Sequence, residues 1–189
     1  MSFADRYGPW AFIAGASMGI GAAFSHEAAA RGLNVVMMAR GEETLRKTAD
    51  EVGQRHGVEV RPLVADLADP SIGDIVADST DDLEVGLLVH NATIAPQGRF
   101  VGVDLDVQLA SVAVNCASPV VLCKHFAPKM AARHRGGIGL VGSLGGAPGF
   151  GRLRDLQRRQ GLPVGAGGDP MGRARRPRRG RQLHHRRRH

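Results

Sequence analysis

Residues 11–23, AFIAGASMGIGAA, decide the fold. A short apolar run, Trp10–Ala14, ends in three glycines within seven residues: Gly15, Gly19 and Gly21. An apolar helical pattern begins at once, with Ile20, Phe24 and Ala28 recurring at i, i+4 and i+8. A strand that stops at a glycine turn and passes into a helix gathers backbone N–H groups and the positive end of a helix dipole at one point. That point suits a pyrophosphate. The first glycine permits the sharp turn, the second lets backbone approach a ligand, and the third lets the helix pack closely on the strand. The spacing G-x-x-x-G-x-G is wider than the G-x-G-x-x-G of dinucleotide-binding turns. By itself it fits a plain tight turn between strand and helix equally well.

Outward from this stretch, apolar runs alternate with helical periodicity as far as about residue 143. The runs predict strands at Trp10–Ala14, Asn34–Ala39, 58–64, 85–89 and 138–141. They are rich in Val, Ile and Leu and mostly lack polar alternation, as strands covered on both faces do. Helices are expected over 19–31, over 42–55, after Pro70, and over a long stretch from 106 to 133. The second of these carries Leu45, Ala49 and Val52 at i, i+4 and i+7, with Glu42 and Glu43 in the dipole-favoured first turn. Pro119 and Pro128 should kink the long helix, because each removes a backbone donor. Strand–helix alternation at these lengths implies right-handed crossovers and a parallel sheet. The fold class is therefore α/β, a Rossmann-type doubly wound parallel sheet of five strands, with ligands at the carboxyl ends of the strands.

The charge divides the chain. Residues 151–189 hold thirteen arginines against Asp155 and Asp169, a net of +11. With +7 over the whole chain, the first 150 residues are left at −4. The reading is thus a nucleotide-binding-type domain over 1–150 and an Arg/Gly/Pro-rich tail over 151–189, expected to be disordered. No secretory leader and no membrane-spanning run are expected, which points to the cytoplasm. Cys116 and Cys123 are seven apart in a helical stretch, which is not metal spacing; they read as small buried hydrophobes, and no metal site is expected.

Further features stand at the ends of successive strands. Strand two ends in Ala39-Arg40, strand three is followed by Asp66-Leu67, and strand four runs into His90-Asn91-Ala92-Thr93. Strand five ends at Ser143, and Asn115 lies in the long helix. Together with AGASMGIG these resemble the short-chain dehydrogenase/reductase family over about residues 8–150. The family's T-G-x-x-x-G-x-G is matched except that Ala14 replaces Thr. Its N-N-A-G is matched at Asn91 and Ala92, while His90 and Thr93 depart.

The resemblance implies an NAD(P)-dependent oxidoreductase acting on a small carbonyl or alcohol. It places Gly15, Ser17, Met18, Gly19, Ile20 and Gly21 around the pyrophosphate and nearby ribose. Asp66 would bind the adenine and Leu67 would offer a backbone contact; Asn91 and Ala92 would steady strand four beside the cofactor. Asn115 would hold its helix open around a proton-relaying water, and Ser143 would donate to the substrate carbonyl. Thr93 in place of glycine would crowd the backbone. A carboxylate closing strand two would favour NAD, but here Ala39 is followed by Arg40, whose planar fork suits a phosphate. NADP is therefore expected over NAD, with a solvated strand-end arginine as the plainer alternative.

The pattern breaks at the proton donor. The family's tyrosine position falls at Leu156 and its lysine, four residues on, at Gln160. The only tyrosine is Tyr7, and no lysine follows Lys129. The tail is made of residues that GC-rich codons encode. Residues 154–162, written as CGC GAC CTA CAG CGC CGC CAA GGC CTT and followed by C, read one base later as A-T-Y-S-A-A-K-A-F. The family's Y-x-x-x-K then appears with its tyrosine at the place of Leu156. Everything after about Gly149 is read as out of frame, the chain being truncated as a family member and inactive as written. A real basic extension is the alternative.

Two other functions follow from other features. Thirteen arginines would attract nucleic acid through phosphates, but the tail has no stacking aromatics and no groove-reading element, so nucleic acid is not the expected partner. A non-catalytic cofactor-binding pseudo-enzyme is the other. Intact relatives are expected to pair as homo-oligomers through the long helix and the tyrosine-bearing helix.

Overall fold

A computed structural model describes residues 2–142. Ser143, the positions of Leu156 and Gln160, the tail and the boundary expected at residue 150 lie outside the described residues.

The elements follow in order: α1 Phe3–Tyr7, β1 Trp10–Ala14, α2 Gly19–Ala30, β2 Asn34–Ala39, α3 Glu42–His56, β3 Val60–Val64, α4 Ile72–Thr80 and β4 Val85–His90. A single 3₁₀ turn, Phe100–Gly102, precedes α5 Leu105–Val112. A π turn, Ala113–Ala117, joins α5 to α6 Ser118–Ala132, and β5 Gly137–Leu140 is the last strand among the described residues. All strand pairs are parallel, in the order β3-β2-β1-β4-β5. The chain starts in the centre, winds outward one way through β2 and β3, then returns past β1 to β4 and β5. That reversal makes the doubly wound Rossmann-type sheet and opens a crevice at the carboxyl end of β1.

The core has two layers because strand side chains alternate. Trp10, Phe12 and Ala14 face α4 and α6 with Val36, Met38, Leu88, Leu122 and Phe126. Ala11 and Ile13 face α2 and α3 with Val35, Met37, Leu45, Ala49 and Val52. The expected stripe of α3 is thus its buried face. β3, at the edge, is only half-buried and tolerates Pro62, whose missing donor a central strand would not.

Three expectations are corrected. The buried face of α2 is Gly21, Ser25, Ala28 and Ala29, whereas Ile20 and Phe24 are 61% and 38% exposed. Close helix–strand packing selects the smallest side chains, which hydrophobic periodicity alone does not rank. Pro119, expected to disturb the long helix, sits in the first turn of α6 directly after the π turn, which takes up the lost register, while Pro128 stands inside α6. Cys116 lies in the π turn and is exposed rather than buried. Finally, the 28-residue run Leu105–Ala132 is long and apolar enough to cross a membrane by length and composition, against the sequence expectation. Here its inner stripe, Val114, Leu122, Phe126 and Met130, is packed on the sheet. The short α1 was not expected; its signal is the capping box Ser2-x-x-Asp5, in which Ser2 Oγ accepts from the Asp5 amide at 3.0 Å and Asp5 accepts from the Ser2 amide at 2.7 Å.

Candidate functional site

The carboxyl ends of β1 to β4 open onto a cavity of about 570 Å³. Its floor is the glycine turn. Gly15 and Ala16 donate their amides to the carbonyl of Met38 in β2, at 2.8 and 3.0 Å. Asn91 and Ala92 donate theirs to the carbonyl of Ala14, at 3.0 and 3.1 Å. The turn is thereby tied to the strands on both sides of β1. Gly15 has φ +79, and a Cβ there would stand 2.7 Å from the Ala92 amide nitrogen. A Cβ at Gly21 would overlap the Gly15 carbonyl oxygen, so the first turn of α2 rests directly on the backbone of the loop. Thr48 of α3 donates its hydroxyl to the Ser17 carbonyl at 2.9 Å, holding the loop from above.

Two features suit an anion. Among the described residues no side chain caps α2, whose N-cap is Met18, so its first amides have no side-chain acceptor there. A Cβ at Gly19 would meet nothing within 4 Å among the described residues, which leaves open space over that amide run. Arg40 stands at the rim, with its guanidinium 3.6 Å from Asp66 Oδ2; both side chains are well exposed, so the pair adds little stability and holds the arginine loosely. Asp66 Oδ1 accepts from the Ala68 amide at 2.9 Å, which fixes the carboxylate beside the cavity.

Of the residues singled out from the sequence, Gly15, Ser17, Met18, Arg40, Asp66, Leu67, Asn91 and Ala92 line the cavity. Gly19, Ile20 and Gly21 form the adjoining start of α2 without lining it. Asn115 stands behind the wall, bonded to the loop after β4: its Oδ1 accepts from the Ile94 amide at 2.9 Å and from Thr93 Oγ1 at 3.2 Å, and its Nδ2 donates to the Ile94 carbonyl at 2.7 Å. Thr93 therefore lines the cavity as a bonded side chain, and its backbone lies outside the left-handed region that would demand a glycine. Sequence reasoning missed Met38, Gly41, Thr44, Ala65, Ile94 and Val114 as lining residues. Thr44 carried a signal, since it follows the Arg40 strand end by four residues in the first turn of α3. Tyr7 lies elsewhere, against Phe3 at a centroid distance of 4.7 Å, and among the described residues no tyrosine or lysine lines the cavity.

Beneath the wall, His90 ends β4 and is buried, with Nε2 2.8 Å from the buried Ser118 Oγ. Burial pushes its imidazole below the ordinary histidine value, so the ring is held neutral.

The sequence pattern of the family described as short chain dehydrogenase matches residues 9–153. A 7beta-hydroxysteroid dehydrogenase of Collinsella aerofaciens is 32% identical over 146 residues, 77% of this chain and 56% of that relative. The chain thus spans just over half the length of the relative. A solved 7beta-hydroxysteroid dehydrogenase superposes with a TM-score of 0.73 at 32% identity, over 76% of this chain and 57% of the other. A short-chain dehydrogenase from Sphingobium yanoikuyae in complex with NADPH gives 0.70 at 33% identity, over 76% and 57%.

Proposed function

The chain belongs to the short-chain dehydrogenase family, and from that premise we propose that it is the cofactor-binding part of an NADP(H)-dependent oxidoreductase acting on a small carbonyl or alcohol. The observation that carries this is the cavity itself. An uncapped helix start, a turn open over Gly19 and a loosely held arginine together fit a pyrophosphate with a further phosphate at the ribose end. The amides of Gly19, Ile20 and Gly21 would hold the pyrophosphate, with Ser17 and Met18 beside it. Arg40 would pair with the 2′-phosphate, and Asp66 and Leu67 would bracket the adenine. Asn91 and Ala92 would keep the strand-four wall against the turn. When bound, a nicotinamide supplies or accepts the hydride; the protein's part is orientation and charge. The NADPH complex of the Sphingobium yanoikuyae relative supports the same preference here.

As written, the chain is a binding protein without turnover. Ser143 would polarise a carbonyl, but the tyrosine and lysine positions hold Leu156 and Gln160. The reading of residues after about 149 as out of frame accounts for both at once.

The test is affinity. NADPH should bind more tightly than NADH, and Arg40→Asp should reverse the order, since one charge-assisted phosphate contact is worth about 1.5–3 kcal/mol, or roughly ten- to a hundredfold. Equal affinities before and after the substitution would remove Arg40 from the site. Turnover with NADPH and a panel of ketones should be absent in the 189-residue chain and should appear when the alternative frame is restored from about codon 150. Robust turnover by the chain as written would overturn the inactivity.

A further inference from the structure

We propose that His90 and Thr93, the two positions at which the chain departs from the family's N-N-A-G, are positioning residues: they fasten the end of β4 and its following loop to the π turn and so fix the inner wall of the cavity at residues 91–94. The two departures are answered on the helix at the matching spacing. His90 meets Ser118 at 2.8 Å, and Thr93 meets Asn115 at 3.2 Å. The positions are three apart on each side, with Asn115 inside the π turn and Ser118 the residue that follows it.

The proton count fixes the direction of each bond. Ser118 Oγ is also 2.9 Å from the Val114 carbonyl. A carbonyl only accepts, so the hydroxyl proton goes there and Oγ must accept from His90 Nε2–H. An apolar side chain would fill the same buried space at no desolvation cost; a histidine is tolerated because that bond offsets it. At the other end, Asn115 spends its amide on Thr93, Ile94 and Ser111, leaving the loop no freedom to lift.

The helix needs this fastening. Pro119 has no N–H to offer the Asn115 carbonyl four residues before it, so the ordinary α register is lost there. The Ser118 amide instead bonds the Ala113 carbonyl, five residues back. A π turn shifts the phase of the helix, and side-chain bonds to the strand end, together with the packing of Val114 in the core, set which residues then face the cavity. Through Asn91, whose Nδ2 donates to the Gly15 carbonyl at 3.3 Å, the same wall seats the glycine turn.

The experiment is hydrogen exchange by NMR on the full chain without ligand, reading the Ile94 amide, whose acceptor is Asn115 Oδ1. His90→Leu, Ser118→Ala and Thr93→Val should each speed exchange at Ile94 by about tenfold while the central-strand amides of Phe12 and Val36 stay unchanged. His90→Gln, which keeps a donor near Nε2, should exchange like the parent. Imidazole ¹⁵N shifts should report the Nε2–H tautomer. Unchanged exchange at Ile94, equal acceleration in the central strands, or an Nδ1–H tautomer would each overturn the proposal. If His90→Leu does not fold, the exposed Thr93→Val and the conservative His90→Gln decide it. The second arm rests on the proposed cofactor site: the same three variants should weaken NADPH by about three- to tenfold. A parent chain that fails to bind NADPH would remove the functional reading and leave the exchange result standing.

Discussion

At the scale of single residues, the glycine turn contains three different constraints. Gly15 sits in the left-handed region and against Ala92; Gly21 supports α2 on the Gly15 carbonyl; Gly19 has φ +58 and open space. Gly21→Ala should therefore act as overpacking and destabilise by about 1–3 kcal/mol in urea unfolding, because backbone on both sides must move. Gly19→Ala should cost only the left-handed strain, about 1 kcal/mol, yet weaken NADPH at least as much, since its methyl would stand in the space proposed for the pyrophosphate. A stability loss at Gly19 equal to that at Gly21 would contradict this division of roles. The motif's spacing was legible in the sequence. So were a close helix contact at Gly21 and an open approach at Gly19; what the sequence did not show is that Ala92 and Asn91, at least seventy residues away, form the wall against Gly15 and Gly21.

At the scale of elements, α6 shows how little of a helix does the packing. Leu122, Phe126 and Met130 recur every four residues and reach the sheet, with Phe126 at 5.1 Å from Phe12 between ring centroids. Phe126→Ala should cost about 3–5 kcal/mol, measured by denaturant unfolding. Val120, on the same helix but 68% exposed, should change stability by no more than about 0.5 kcal/mol when replaced by Ala. Comparable losses at the two sites would mean that the outer face is covered in solution. The prolines announced a disturbance of this helix; its form, a π turn displaced one turn before Pro119, follows from where Ser118 and Asn115 find partners on β4 and its loop.

At the scale of the whole molecule, pH dependence gathers several sites. Burial is the first cause that lowers the imidazoles of His26, His90 and His125 below the ordinary 6.5. The unfolded chain takes up those protons first, so acid favours unfolding and stability rises with pH through this range. Their contribution is complete above the unfolded value and is lost as pH falls from about 6.5 through the lower folded values. Asp81 and Asp82, held below the usual carboxylate value mainly by their bonds to Lys129 and Arg61, contribute over a more acidic range, below 3.8. The urea midpoint should therefore fall between pH 7.5 and pH 5.5, and His90→Gln should remove part of that slope. A flat profile over this interval would show that the three rings titrate alike in both states.

The sequence by itself determined the strands, the turn and the order of the fold. Continuous apolar runs such as Val35–Met38 carry their own evidence of burial on both faces, and a strand–glycine–helix junction is a local signal. It also marked the residues at strand ends, since a doubly wound sheet brings those ends together whatever the side chains are. Only the tertiary structure decided which face of α2 is buried, where the long helix changes register, and that His90 and Thr93 have partners on it. Those outcomes depend on close approach between residues distant in the chain, such as His90 with Ser118 and Gly21 with Asn91. Local periodicity contains no information about such distances, because the sheet that sets them exists only once the chain has folded.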